Sequence, residues 1–229
     1  MTDPRLLSLL HFADSAFPTG GYAHSFGLER YCQAGIVQDR DGLERFLVTH
    51  LEGSAGPCDA TAAAAALRGL GRGDLEACRR LDETIEAMKV VKEFRDGSRQ
   101  MGRQTLRVAT ALTGDGHLDT YLRDVNARRA PGHHAIAFGM VAAALGWEAP
   151  AAVTAFLYST TSLLVGAALR LLPMGQLEGQ AVLWSLHPVI ERVAREAVER
   201  APGDLWSFTP GLDIQGMLHE HLEARLFRS

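Results

Sequence analysis

Between Leu6 and Glu199 the apolar residues of this chain recur at spacings of three and four, and no stretch of strand length alternates strictly between apolar and polar. Amphipathic helices produce the first pattern and half-buried strands the second, so the chain has helices to pack and no sheet to build. Leu6, Leu7, Leu9, Leu10 and Ala13 follow Asp3-Pro4, a capping residue and a first-turn proline. Residues 25–34 read as a short helix ended by Gly35. Asp41 precedes Leu43, Phe46, Leu47 and Leu51, with Gly53 as the terminator. A turn at Gly56-Pro57 then leads to Asp59, which can cap the alanine run 61–67. The clearest amphipathic helix opens at Asp74: Leu75, Cys78, Leu81, Ile85, Met88 and Val91 share one face and the charges take the other. Further helices are expected over 100–112, 118–128, 133–145, 153–172 and 176–199. The expected architecture is an all-α, single-domain helical bundle of about ten helices. Its 229 residues exceed the usual ~150-residue domain by too little to suggest two.

Residues 202–229 differ from the rest and read as a C-terminal docking segment of the domain formed by 1–201. Pro202, Gly203, Pro210 and Gly211 break the chain, yet Trp206, Phe208, Leu212, Ile214, Met217, Leu218, Leu222, Leu226 and Phe227 are costly to expose. Met217, Leu218, Leu222 and Leu226 would form one stripe of a helix too short to be stable in water alone. This tail is therefore expected to be weakly held until a partner groove supplies the other wall.

Charge narrows the function classes. With 23 basic against 27 acidic residues and a net charge of -4, nucleic-acid binding through phosphate neutralisation has no basic block to rest on. The only lysines, Lys89 and Lys92, follow no glycine, so a Gly-Lys-Ser/Thr phosphate loop is excluded. Cys32, Cys58 and Cys78 are odd in number and widely spaced, as in a reducing compartment. Met1 to Arg5 lacks a basic region leading into an apolar one, so no leader and a cytoplasmic location are expected. The uncharged stretch 151–169 is long enough to span a membrane, but three threonines, two serines and Gly166 dilute it and Arg170 closes it, so it reads as a buried core helix.

The motifs that could carry chemistry are incomplete. Ala23-His24-Ser25-Phe26-Gly27 approximates a nucleophile elbow, but that elbow needs a strand entering it and a glycine where Ala23 stands. Ser25 reads better as the N-cap of the following helix, and a helical serine hydrolase using Ser25 is kept as the alternative. In His219-Glu220-His221-Leu222-Glu223 the histidines are two apart rather than four, so no zincin site forms. His219 and Glu223, at i and i+4, could make a helix pair or a two-ligand site. His133-His134 opens an apolar helix as space-filling or capping residues, and 175–180 reads as a helix connection. A metal-storage role would need clustered His and Cys, and the nine histidines are scattered. Binding is favoured over catalysis.

Read together, Phe17-Pro18-Thr19-Gly20-Gly21-Tyr22-Ala23-His24-Ser25-Phe26-Gly27-Leu28-Glu29, Met101-Gly102-Arg103, Arg170-Leu171-Leu172-Pro173-Met174-Gly175-Gln176 with Gln180, Phe208-Thr209-Pro210-Gly211-Leu212-Asp213-Ile214, His219-Glu220 and Arg225-Leu226-Phe227-Arg228-Ser229 resemble, in order, the conserved blocks of the UreF family of urease accessory proteins. The resemblance implies a non-enzymatic, all-helical, homodimeric scaffold without a cofactor. It would join the UreD (UreH) accessory protein and the UreG GTPase and assist GTP-dependent nickel delivery to apo-urease, with nickel in transit only and neither nucleic acid nor membrane as partner. The residues it points to for partner binding are Gly20, Gly21, Tyr22, His24, Glu29, Arg170, Gln176, Gln180, Pro210, Asp213, Met217, His219, Glu220, Leu222, Arg225, Leu226 and Phe227. No residue is assigned to catalysis or to a metal.

Overall fold

Side-chain caps set where several helices begin. In a computed structural model describing residues 3–229, Asp3 accepts from Arg5 N at 2.9 Å at the start of α1 (Pro4–Ala13). Met1 and Thr2, the first residues of the 1–201 unit and of the stretch read for a leader, lie outside the described residues. The short α2 (Leu28–Gln33) follows. Asp39 caps α3 (Arg40–His50) through Gly42 N at 2.8 Å, placing Asp41 in its first turn. Beyond α4 (Thr61–Gly71), Asp74 caps α5 (Leu75–Met88) as the pattern predicts. The chain continues through α6 (Lys92–Thr113), α7 (Gly116–Asn126), α8 (His134–Ala144), α9 (Ala149–Leu171), α10 (Gln176–Ser185), α11 (His187–Glu199) and α12 (Pro210–His219). No strand occurs among the described residues.

α8 is the centre. Its residues Ala135 to Val141 are all buried, as they must be in a helix that is apolar on every side. It packs on α4 and α6. A Cβ added at Gly139 would sit 2.2 Å from Ala63 O, so glycine there and alanines on α4 let the two backbones touch. α9, the stretch long and apolar enough to cross a membrane, is a core helix instead. It buries Val153, Phe156, Leu157, Leu164 and Val165 against its neighbours, among them α1, α10 and α11.

Four boundaries depart from the sequence expectation, each for a local reason. α6 starts at Lys92 rather than near 100, because its charged first turns face solvent and other charges and so carry little apolar period. The 176–199 helix is two, since Pro188 cannot donate within a continuing helix and instead sits in the first turn of α11. No break occurs at Gly53 or Gly56-Pro57: residues Leu51–Ala60 form π-helical turns that join α3 to α4. From outside, Phe208 N donates to Gly53 O at 2.8 Å and Trp206 N to Pro57 O at 3.4 Å, strapping the later chain to these turns. Finally, α12 ends at His219, so Leu222 and Leu226 do not extend its stripe.

Candidate functional site

Two segments that the sequence analysis singled out separately meet at one place, the N-terminal block before and within α2 and the tail after α12. A 3-10 turn over Gly21–Ala23 brings the chain into α2. Gly21 is pressed onto α9, where a Cβ would come 2.3 Å from Leu163 Cδ1. The tail runs back along this block. Ser25 N and Ser25 Oγ both donate to Ser229 O, at 2.7 and 2.6 Å. Arg228 N donates to Ala23 O at 2.8 Å, and Ser229 Oγ lies 2.9 Å from His24 Nδ1.

Glu29 is the anchor. Its carboxylate is 2% exposed and accepts from Leu226 N at 2.7 Å, Phe227 N at 3.0 Å and His219 Nε2 at 3.0 Å. The other nitrogen of His219, Nδ1, lies 2.7 Å from Glu93 Oε2, and Arg225 donates to Glu93 Oε1 at 2.7 Å. Each ring nitrogen thus lies within hydrogen-bond distance of a carboxylate. Two carboxylates, the Arg225 guanidinium and an imidazole ring that is 0% exposed close the clasp. Above it the Arg170 guanidinium donates to Tyr22 O at 2.8 Å and lies 4.1 Å over the Phe227 ring, tying α9 to the same junction.

This geometry corrects three expectations. His219 does not pair with Glu223, which lies beyond the end of α12; its partners are Glu29 and Glu93. Ser25 is not the N-cap of α2, a position held by Gly27, although its hydroxyl still accepts from Glu29 N at 3.3 Å. The tail is not left waiting for a partner: Leu212, His219, Phe227 and Ser229 are buried within this chain. As for the hydrolase alternative, Ser25 is fully buried and gives its proton to a main-chain carbonyl, while His24 faces Ser229. Burial first, and the Arg228 charge second, lower the His24 pKa to about 4.

The other residues named in advance scatter around this junction. Tyr22 is 76% exposed beside it. Glu220 lies 3.7 Å from Lys92. Leu222 is half-buried, and Met217 and Leu226 are exposed. Asp213 is partly buried, which raises its pKa. Gln176, Gln180 and Pro210 are exposed and take no part in the clasp. Glu93 and Ser229 were missed, because a glutamate opening a long helix and a lone serine carry no local signal of a contact more than a hundred residues away. A groove of about 790 Å³ lies along the N-terminal block, lined by Phe17, Tyr22, Gln100, His134, Ser162 and Arg170 among others. Among the described residues no group of three or more His, Cys, Asp or Glu is placed to hold a metal ion.

Comparison with known proteins adds a family to this geometry. Residues 37–187 match the family model described as UreF. The urease accessory protein UreF of Bacillus sp. (strain TB-90) is 33% identical over 225 residues, covering 98% of this chain and 99% of that protein. That of Trichodesmium erythraeum (strain IMS101) is 35% identical over 221 residues, covering 96% and 95%. That of Paenarthrobacter aurescens (strain TC1) is 32% identical over 223 residues, covering 97% of each.

Proposed function

Because this chain belongs to the UreF family of urease accessory proteins, we propose that it is a non-catalytic cytoplasmic scaffold that bridges the UreD (UreH) accessory protein and the UreG GTPase and assists GTP-dependent nickel delivery to apo-urease. Nucleotide chemistry belongs to the GTPase, since this chain has no Gly-Lys-Ser/Thr loop. Nickel is cargo, passed on rather than stored: a ligand set tight enough to keep it would oppose release. A homodimer is part of the reading.

The observation that carries it is the clasp. Buried polar contacts spend Glu29, His219 and Arg225 on holding two distant blocks together, and they leave large apolar side chains around that junction in water. Phe208, Ile214, Met217 and Leu226 are 74%, 56%, 49% and 58% exposed. Burying such side chains against a partner is worth about 1.5 to 3 kcal/mol each, so a rigid, clasped tail presents a prepaid docking face. Deleting everything after Gly211 would also strip Ser25 and Glu29 of their internal partners, so surface substitutions are the cleaner test. Ile214→Asp with Met217→Asp should leave the helical fold intact and abolish co-purification with a UreD-type partner and urease activation. Unchanged co-purification would remove the tail as the docking face.

A further inference from the structure

Arginines stand one turn apart on α6 at 95, 99, 103 and 107. Like charges at this spacing repel, so a helix keeps such a row only where acids answer it. The first half is answered. Glu86 on α5 pairs with both Arg95 and Arg99, and Asp96 adds a contact to Arg99 at 3.5 Å. The second half is not: Arg103 and Arg107 make no ion pair or side-chain hydrogen bond with any described residue, and both are exposed.

Across from Arg103, the turn leaving α7 repeats the arrangement. Arg129 is pinned to Asp124 by two hydrogen bonds of 3.0 and 2.7 Å, while its neighbour Arg128 has no side-chain partner among the described residues and is exposed. Arg128 also sits at a φ of 59°, in a helix-ending turn where Arg129 N donates to Asp124 O and Arg128 N to Val125 O. Glycine takes that left-handed position without strain and arginine does not. Strain retained at a position with no internal contact points to a use for the side chain. Between the two walls lies an open groove of about 580 Å³, floored by Val125, Ala130 and Pro131, with Glu83 at its edge.

We propose that this groove docks an acidic peptide segment of a partner protein, whose carboxylates take on Arg103 and Arg128 the places that Glu86 and Asp124 take on Arg99 and Arg129. Paired guanidinium forks facing each other across an apolar floor suit an extended chain with carboxylates on alternate sides. An open, solvated groove also suits a chain gripped at several points better than a single small anion. On a chain of net charge -4 such a focus of positive charge would orient an acidic partner as it approaches. The inference rests on the scaffold reading for the existence of partners, and its chemistry can be tested apart from it.

The test measures fluorescence anisotropy of a labelled oligoglutamate peptide titrated with the full-length protein, at low salt and at about 0.2 M salt. Saturable binding that weakens with salt is expected. It should fall about tenfold or more in Arg103→Glu/Arg128→Glu and persist in Arg40→Glu/Arg195→Glu, which changes net charge equally at exposed sites on α3 and α11. Arg128→Gly should raise Tm by about 2 to 4 °C, by relieving the left-handed strain, while weakening the peptide. Absence of binding, equal loss in the control pair, full binding by Arg128→Gly, or binding of inorganic phosphate in place of the peptide would each overturn the proposal. If the protein supports urease activation but none of these groove effects appears, only the groove assignment falls. If the groove binds as described but the protein cannot support activation, the scaffold reading falls instead.

Discussion

Single ionisable side chains decide whether the junction holds. Glu29 meets an imidazole nitrogen and two backbone amides in a dry site, and removing one partner of such a set leaves the rest uncompensated. Glu29→Ala should destabilise the protein by about 3 to 5 kcal/mol in urea unfolding and make the tail the first site of limited proteolysis. A loss within error would mean the clasp does not hold the tail. Buried histidines elsewhere in the fold respond to acid. His24 and His134 are lowered to about 4 and His133 to about 2, mainly by burial. The His133 ring is neutral, donating from Nε2 to Glu86 at 2.9 Å and accepting from Ser98 at its Nδ1 at 3.0 Å. Folded-state pKa values below the unfolded 6.5 mean that the unfolded chain takes up protons first. Stability is then full above pH 6.5 and falls toward pH 4, by up to about 1.4 kcal/mol per pH unit for each ring. Asp82 and Asp213, raised by their burial, work the other way, but they are two groups against four, since His50 is also lowered to about 4. Denaturation midpoints at pH 7 and pH 5 check this, and equal midpoints would contradict it. Little of this could be read from sequence. The blocks containing Glu29, His219 and Arg225 were visible as unusual, but no spacing rule relates residues about 190 apart, so their mutual contacts and Glu93's part in them were not.

At the level of elements, periodicity served well wherever one face of a helix meets the core and the other meets water. α5 is the example: its cap at Asp74 and its buried Cys78 and Ile85 lie where the pattern places them. It failed where a helix opens on charged turns, as at the start of α6, and where a breaker residue is absorbed. Pro57 was read as a turn because the missing donor is counted as a loss. Instead the chain continues through it in π-helical turns held from outside by the strap at Trp206–Phe208, which nothing near Pro57 announces. In α8, Phe138 packs at a tilt against Phe156 and Trp147 with centroids 5.4 and 5.6 Å away. Phe138→Ala should cost about 3 to 5 kcal/mol, read as a lowered urea midpoint, whereas a fall under about 1 kcal/mol would mean the cavity collapses.

Across the whole molecule, the all-helical architecture was legible because every element contributes its own local pattern, while the closure of the structure on itself was not. One core cluster extends from Phe12 to Phe227, so the tail read as an appendage is part of the body that it was expected to leave free. The apolar residues that prompted that reading divide in two. Leu212 and Phe227 turn inward, whereas Ile214, Met217 and Leu226 face out, and composition alone cannot sort them. The junction of residues 23–29 with 219–229 has a further consequence for how the chain reaches this state. Synthesis runs from the amino end, so Ser25 and Glu29 emerge about two hundred residues before the groups that satisfy them. Closing so long a loop is entropically slow. For that interval a carboxylate destined for a dry site stays hydrated and the first block cannot finish settling on α9. A segment made late thus locks one made early, and a ribosome-bound chain halted before residue 219 should be protease-sensitive around residues 17–33, where one carrying residues 219–229 clear of the ribosome is protected.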